Sequence, residues 1–223
     1  MLLYDALAPN PFVVRLFILE RKGLELDVEK VDIMNLENRR LAYRTNVHPR
    51  GTLPALRLDN GHVLTEITAI CEYLDEVAIG GTSLFGDNAV ERAETRMWLR
   101  RMDIEIAHPV IEWYRNDPAT IDFYKGNRIP VPEARTAQKV TINQYLNLLD
   151  DELEGKTFLC GDRFSAADVH FYGLMAMHEG MGAGWVNSPG RKNVKLYFNR
   201  MATRQATKDA MGEFGPKIDN RYG

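Results

Sequence analysis

The sequence predicts an α/β part followed by an all-α part, and three observations carry this prediction. Near the start, a short apolar strand, a helix and a second strand follow one another at the spacing of a βαβ unit. An Asn-Gly hairpin then adds two strands. From about Leu84 onward the strand signals stop, and apolar residues recur at helical spacing. We therefore expect two domains, one over residues 1–80 and an all-helical one over residues 85–223.

The βαβ unit is predicted from its apolar runs and its helix signals. Residues 2–4 are predicted as a short buried strand, and residues 26–33 as a second strand parallel to it. Between them, Asn10 fits a helix N-cap and Pro11 the first helical position. Gly23 can end this helix in the left-handed conformation.

The hairpin is the clearest local signal in the chain. Residues 54–58 and 62–64 have the pattern of two strands that flank Asp59-Asn60-Gly61. Asn-Gly supplies the positive φ angles of a two-residue type I′ turn. A helix that begins at Glu66 follows, so the first domain is a small mixed sheet with helices on it.

The second domain is predicted to consist of helices. Asp87 can cap a long helix that runs past Trp98 and is kinked at Pro109. A Ser165–Asp168 capping box, with Asp in place of the usual Glu, begins a later helix. Further helices are predicted over residues 134–154, 166–179 and 194–202.

Composition excludes several functional classes. The 28 basic and 31 acidic residues give a net charge of -3 and are interleaved, so no basic stripe indicates a nucleic-acid partner. No run of about 18 apolar residues predicts a membrane span, and the first residues lack the pattern of a signal peptide. Cys71 and Cys160 form no C-x-x-C and no metal-ligand spacing. We expect a cytoplasmic protein without a metal.

Three motifs carry a resemblance to the cytosolic glutathione transferases. They are the cis-proline segment at residues 52–56, the glutamyl-binding turn at 64–70 and the helix-start signature at 158–168. Together they span most of the chain in the family's order. Residues 8–11 with Arg15, and residues 97–101, resemble a bacterial and fungal subgroup that lacks the ordinary catalytic Ser, Cys or Tyr.

The resemblance implies a fold, an activity and partners. The first domain is expected to be thioredoxin-like and to bind glutathione, and the second to be a helical bundle that supplies the electrophile pocket. The implied enzyme is a glutathione transferase that conjugates glutathione, its co-substrate, to small hydrophobic electrophiles. The family forms two-fold dimers, and the helix from Asp87 with Arg100 and Arg101 is the expected interface.

The resemblance also assigns a glutathione site. A cis Pro54 would leave the Leu53 backbone free to pair with the glutathione cysteine, and Glu66 would accept from the glutathione ammonium group. Arg39 or Arg50 would meet the glycyl carboxylate. Simpler interpretations stay open, because Pro54 can start an edge strand, Glu66 can be a solvated helix-start acid, and surface arginines are common.

Two positions depart from the family pattern. The family usually has Ser or Thr after the Glu, but this chain has Ile67, and a lost hydrogen bond to a charged group costs about 1.5–3 kcal/mol. Backbone N–H groups at this helix start and the hydroxyls of Thr65 or Thr68 are expected to compensate in part. Where the subgroup often carries a His that faces the thiol, this chain has Asn116, which cannot act as a general base.

The group that activates the thiol is therefore left open between candidates. The first is the helix start at Asn10, where unpaired N–H groups and the helix dipole favour an anion. The second is Tyr4, whose phenol could donate to the thiolate, although a Tyr at a strand end is usually a core residue. Asn116 can donate to a thiolate or hold a water molecule. The electrophile pocket is assigned to Phe12, Trp113 and Tyr114.

Two rival functions remain. A glutathione-dependent reductase or lyase is disfavoured because no Cys lies near the N-terminus. A transferase-like binding or partner protein with weak catalysis is kept open by Ile67 and Asn116.

Overall fold

The protein was analysed as a computed structural model that describes residues 1–222, with residues 179 and 180 described by their backbone alone. The chain forms two compact units. The first contains Met1–Ala93 together with the residues from Ala202 onward, and the second contains Glu94–Met201.

The first unit is built on a five-stranded mixed sheet. Its strands are β1 (Leu2–Asp5), β2 (Glu25–Lys30), β3 (Ala55–Arg57), β4 (Val63–Leu64) and β5 (Lys217–Asp219). They lie in the order β4-β3-β1-β2-β5, with β1 and β2 parallel and the other pairs antiparallel. This arrangement confirms the predicted βαβ unit and the hairpin of the mixed sheet.

Ten α-helices are described in residues 1–222. They are α1 (Pro9–Arg21), α2 (Leu41–Asn46), α3 (Ile67–Val77), α4 (Ala89–Met102), α5 (His108–Arg115), α6 (Ile121–Tyr124), α7 (Ala134–Glu152), α8 (Ala166–His178), α9 (Lys192–Thr203) and α10 (Gln205–Ala210). None of them combines the length and the apolar composition that crossing a membrane requires.

Side chains of β1 alternate between the two faces of the sheet. Asp5 bonds to Arg15 of α1, and α1 packs against α3 and α10. Tyr4 points the other way, where its ring meets Tyr43 of α2 with the ring centroids 5.9 Å apart. Asp5 therefore lies on the face of the sheet that carries α1, and Tyr4 lies on the opposite face, which carries α2.

The start of α1 differs from the sequence prediction. The N-cap is Ala8, which has extended backbone angles, and the helix begins at Pro9 rather than at Pro11. Both prolines fit the first turn of a helix, and the earlier one takes the first helical position. Asn10 is therefore a residue of the first turn and not the N-cap.

The hairpin forms where it was predicted, but its turn is of another type. The Gly61 N–H donates to the Leu58 carbonyl and the Leu58 N–H donates to His62, which leaves a three-residue connection. Of the three residues in that connection, only Gly61 has a positive φ, at 84°. A left-handed Gly in the third position defines the bulged hairpin loop rather than the type I′ turn.

The end of the chain corrects the expectation that residues 85–223 are all helical. Strand β5 pairs antiparallel with β2, and the Asn220 side chain accepts from the Leu24 N–H at 2.9 Å. The strand follows Pro216, has three residues and depends on a partner almost 200 positions away, so local patterns carry no signal for it.

The second unit is helical, as predicted. The long helix is interrupted by a π turn over Asp103–Ala107, which ends two residues before Pro109. Proline has no N–H for the carbonyl four residues earlier, which explains the interruption at this point. Half of the predicted capping box at the start of α8 is observed: the Ser165 N–H donates to the Asp168 carboxylate at 2.9 Å, as does the Ser165 Oγ–H. The Asp168 N–H donates to the Ser165 carbonyl rather than to the hydroxyl.

Candidate functional site

The segment before β3 presents an unpaired stretch of backbone. The Leu53–Pro54 peptide bond is cis, as the sequence predicted. The preceding carbonyl, of Thr52, accepts from the Tyr43 hydroxyl at 3.0 Å. Neither the N–H nor the carbonyl of Leu53 has a partner among the described residues. Leu53 therefore offers one donor and one acceptor to a ligand's main chain.

The start of α3 presents both an acid and several donors. Glu66 is exposed and takes a φ of 70°, a left-handed conformation that costs a non-glycine residue about 1–3 kcal/mol and is typical of functional sites. The first intrahelical bond runs from the Ile70 N–H to the Glu66 carbonyl. The N–H groups of Ile67, Thr68 and Ala69 have no acceptor in the described part of the chain. The arrangement suits a ligand end that carries both an ammonium and a carboxylate group.

The two candidate arginines lie on either side of a tight backbone contact. A Cβ on Gly51, which has a φ of 64°, would lie 2.5 Å from the Asn38 carbonyl oxygen. The buried Asn38 side chain donates to the Gly51 carbonyl at 2.6 Å and fixes this contact. Arg39 is half-buried, and Arg50 is exposed with no partner in residues 1–222. Sequence reasoning missed Asn38, which only the close approach identifies.

The start of α1 offers fewer donors than the sequence suggested. Pro9 and Pro11 have no N–H. The Ala8 N–H donates to Ala6 and the Phe12 N–H donates to Ala8, at 2.9 and 3.0 Å. The Asn10 N–H is then the one backbone donor of this turn that has no partner among the described residues. The half-buried Asn10 side chain has no partner among the described residues either. The available hydrogen-bonding groups of this turn therefore belong to Asn10.

A buried ion pair holds the loop that leads into α1. One guanidinium nitrogen of Arg15 donates to Asp5 Oδ2 and to the Ala6 carbonyl, both at 3.2 Å. Both side chains are almost fully buried. Burial raises the pKa of the Asp5 carboxyl against the opposing effect of Arg15. The pair fixes the backbone of the β1–α1 loop and with it the position of Asn10.

Tyr4 lies in a different environment from Asn10. It is 2% exposed and belongs to a buried cluster with Val31, Tyr43 and Ala55 on the α2 face of the sheet. The Arg57 guanidinium lies 5.1 Å from its ring centroid. Burial raises the pKa of the Tyr4 phenol, which therefore stays protonated at neutral pH.

In the second unit, Asn116 already uses both ends of its amide. Its Oδ1 accepts from the Val131 N–H at 2.9 Å, and its Nδ2 lies 3.4 Å from the Gln138 Oε1. The residue is buried, at the C-terminal end of α5. These contacts tie both α7, through Gln138, and the segment before it, through Val131, to the end of α5.

The predicted pocket residues are distributed over both units. Phe12 is fully buried in the first unit. Trp113 is half-buried in the second, with its ring centroid 4.3 Å from the Arg135 guanidinium. Tyr114 meets His178 edge to face at 5.9 Å. Burial lowers the pKa of His178, whose Nδ1–H donates to the Leu174 carbonyl, so this imidazole is neutral at pH 7.

The fold is a thioredoxin-like mixed sheet with helices, followed by a helical unit. Comparison with protein families agrees. The model for "Glutathione S-transferase, N-terminal domain" matches residues 11–77, and that for the C-terminal domain of the same family matches residues 107–205. The chain belongs to the glutathione S-transferase family, and it is a transferase of that type.

Individual relatives agree with this assignment. A glutathione S-transferase of Escherichia coli O157:H7 is 29% identical over 201 residues, which cover 89% of this chain and 92% of the relative. Glutathione S-transferase 2 of Saccharomyces cerevisiae is 27% identical over 176 residues, which cover 76% of this chain and 72% of the relative. The crystal structure of a glutathione S-transferase domain-containing protein from Marinobacter aquaeolei VT8 superposes with a TM-score of 0.81 at 29% identity, covering 93% of this chain and 100% of that chain.

Proposed function

We propose that this glutathione transferase conjugates glutathione to small hydrophobic electrophiles, and that it stabilises the glutathione thiolate at the start of α1. The observation that carries the proposal is the start of α3. There an exposed Glu66 in a left-handed conformation stands next to three backbone N–H groups without described acceptors. This pairing of an acid with donors complements the ammonium and carboxylate groups of a γ-glutamyl end.

The same donors compensate for Ile67. A hydroxyl at that position would supply one hydrogen bond to the glutamyl carboxylate, and Ile67 supplies none from its side chain. The N–H groups of Ile67 and Thr68 and the Thr68 hydroxyl have no described acceptor, so they are available to the carboxylate. The helix dipole adds to their attraction for an anion.

The rest of glutathione is assigned along the first unit. Leu53 supplies an N–H and a carbonyl for the cysteinyl main chain. Arg50 has no described partner and is the preferred contact for the glycyl carboxylate, with half-buried Arg39 as the second candidate.

We assign the stabilisation of the thiolate to Asn10. Its N–H and its side-chain amide are the donors that the first turn of α1 has left, and the positive end of the helix dipole acts on the same anion. Tyr4 remains the second candidate, but its ring packs on the α2 face whereas Asp5 and Arg15 lie on the α1 face. Asn116 is proposed as a positioning residue because its amide is already bonded to Val131 and Gln138.

The electrophile is proposed to contact aromatic groups of the second unit. Trp113 and Tyr114 are both half-buried, which leaves part of each ring accessible to an apolar molecule. Catalysis then consists of thiolate stabilisation and proximity. We therefore propose membership of the bacterial and fungal subgroup that lacks an ordinary catalytic Ser, Cys or Tyr.

We also infer a homodimer in the cytoplasm. Val90 and Met97 of α4 and Ile104 of the π turn are exposed apolar side chains that a second copy would cover. Arg101 was expected at this interface, but both of its bonds to Glu152 lie within the second unit. Both cysteines are buried free thiols, which suits a reducing compartment.

A binding or partner protein with weak catalysis is the second candidate, because Ile67 removes a side-chain contact to glutathione. Calorimetric titration with glutathione separates the two. Glu66→Ala should weaken binding about tenfold or more, since the ligand ammonium group loses a charged partner. Glu76→Ala, at the other end of α3 and also exposed, is the matched control and should leave the dissociation constant unchanged.

Two results would count against the proposed function. No measurable glutathione binding by the unaltered protein would favour the partner protein. Equal affinities for Glu66→Ala and Glu76→Ala would show that the glutamyl end binds elsewhere.

A further inference from the structure

Tyr43 of α2 is a buried tyrosine outside the set of residues assigned to glutathione. It is 6% exposed, and its ring packs in the cluster with Tyr4, Val31 and Ala55. Its hydroxyl donates to the Thr52 carbonyl at 3.0 Å. Burial raises the pKa of the Tyr43 phenol, so the hydroxyl keeps its proton and remains a donor at neutral pH.

The Thr52 carbonyl and the Leu53 N–H belong to the same peptide unit. The bond between them is trans, and a trans peptide unit is planar, with its C=O and its N–H directed to opposite sides. A hydroxyl that holds the Thr52 oxygen therefore also fixes the direction of the Leu53 N–H. Because this N–H has no partner among the described residues, Tyr43 directs an available donor away from the buried cluster.

Two further contacts restrict the same segment. The Leu53 side chain is partly buried against the cluster that contains Tyr43, so the residue is anchored by its side chain while its main-chain groups stay unpaired. The Asn38 Nδ2 donates to the Gly51 carbonyl at 2.6 Å and holds the preceding peptide unit in the same way. Two consecutive peptide units are thus held by buried side chains, directly before the main-chain groups that are available to a ligand.

We propose that Tyr43 is a positioning residue for glutathione, because its hydroxyl orients the Thr52–Leu53 peptide unit for pairing with the cysteinyl main chain. This role rests on the proposed function, in which Leu53 binds that part of the ligand. Without the hydroxyl, the peptide unit is free to rotate around the adjacent bonds, and part of the population no longer presents the Leu53 N–H. The contact that is lost is the one to the cysteinyl carbonyl of glutathione, which is the acceptor for this N–H.

Calorimetric titration of the full chain with glutathione tests this role. Tyr43→Phe keeps the ring in its cluster and removes only the hydroxyl, so it should raise the dissociation constant about fivefold. Incorporation of 4-aminophenylalanine at position 43 restores a donor and should return the affinity to within about twofold of the original value. Tyr73→Phe removes a hydroxyl without a described partner from a half-buried position on α3. It is the matched control and should leave the dissociation constant unchanged.

A glutathione analogue separates positioning from a general loss of structure. In this analogue a trans alkene replaces the Cys–Gly amide, so the acceptor for the Leu53 N–H is missing. The analogue should bind to Tyr43→Phe and to the unaltered protein with similar dissociation constants, because the contact in question is absent from both complexes. The pKa of the bound glutathione thiol should also be the same in both proteins, since Tyr43 acts on the ligand's main chain.

Two results would overturn the proposal while glutathione still binds to the unaltered protein. One is an unchanged dissociation constant for glutathione in Tyr43→Phe. The other is an equal loss of affinity for glutathione and for the alkene analogue, which would assign Tyr43 to the stability of the fold alone. No measurable binding of glutathione by the unaltered protein would instead refute the proposed function, and the role of Tyr43 with it.

Discussion

Asp168 at the start of α8 holds two buried backbone groups that have no alternative acceptor, so Asp168→Ala should destabilise the protein strongly. Its Oδ1 accepts from the Leu159 N–H, and its Oδ2 accepts from the Ser165 N–H and hydroxyl, each at 2.9 Å. Asp168 and Ser165 are both fully buried. Alanine leaves both N–H groups without an acceptor in a site that water does not reach.

The size of the effect follows from those two groups. A buried donor without a partner costs about 1–3 kcal/mol, so the pair gives about 2–6 kcal/mol. That is a large share of the roughly 5–15 kcal/mol that stabilises a typical domain. With an m value of about 2 kcal/mol/M in urea, the unfolding midpoint should fall by about 1–3 M.

Urea unfolding followed by far-ultraviolet circular dichroism measures this shift. Asp162→Ala is the matched control, because Asp162 lies in the same loop and accepts from Thr157, but is exposed. It should cost less than about 0.5 kcal/mol. Equal midpoints for the two variants would refute the reasoning that burial of the unpaired N–H groups sets the cost.

Two more predictions concern assembly and pH. Light scattering should give twice the 25.5 kDa chain mass, and Met97→Glu should shift the population toward a single chain by placing a charge in the proposed interface. Scattering that shows only a 25.5 kDa species for the unaltered protein would exclude the dimer. Burial lowers the pKa of His178, so stability should fall as the pH drops below about 6.5, where the unfolded chain takes up the proton first. His178→Gln should flatten that part of the stability profile, and a profile with the same slope in both proteins would contradict the assignment.

Features with a local cause could be predicted from the sequence. The hairpin follows from alternation around Asn-Gly, and the capping box from Ser165 and Asp168, three residues apart. Helix α7 was predicted over residues 134–154 and observed over Ala134–Glu152, because its apolar positions repeat at helical spacing.

Features that depend on distant partners or on competing local signals could not be predicted from the sequence. Residues 9–11 contain two prolines that each fit a helix start, and only the folded chain decides between them. The turn type of the hairpin is set by the pairing of Leu58 with His62 rather than by Asn-Gly alone. Strand β5 exists because β2 has a free edge.

The candidate site also combines features that the sequence predicted with features that it did not. The cis peptide bond before Pro54 and the exposed Glu66 were expected from motifs. The sequence suggested several free N–H groups at the start of α1, whereas the prolines and the bonds of Ala8 and Phe12 leave only that of Asn10 in this described turn.

The central claim is that the start of α1 stabilises the glutathione thiolate, and the pKa of the bound thiol tests it most directly. Ultraviolet absorbance of the thiolate, followed against pH in the complex, should give a pKa well below the free-thiol value of about 8.5. Asn10→Ala should raise it by about one unit, because one donated hydrogen bond to the thiolate is lost, while Tyr4→Phe should leave it almost unchanged. Ile67→Ser should tighten glutathione binding without changing the pKa of the thiol, since residue 67 acts at the glutamyl end of the ligand. A rise of about one unit in Tyr4→Phe with none in Asn10→Ala would contradict the account and assign the activation to Tyr4.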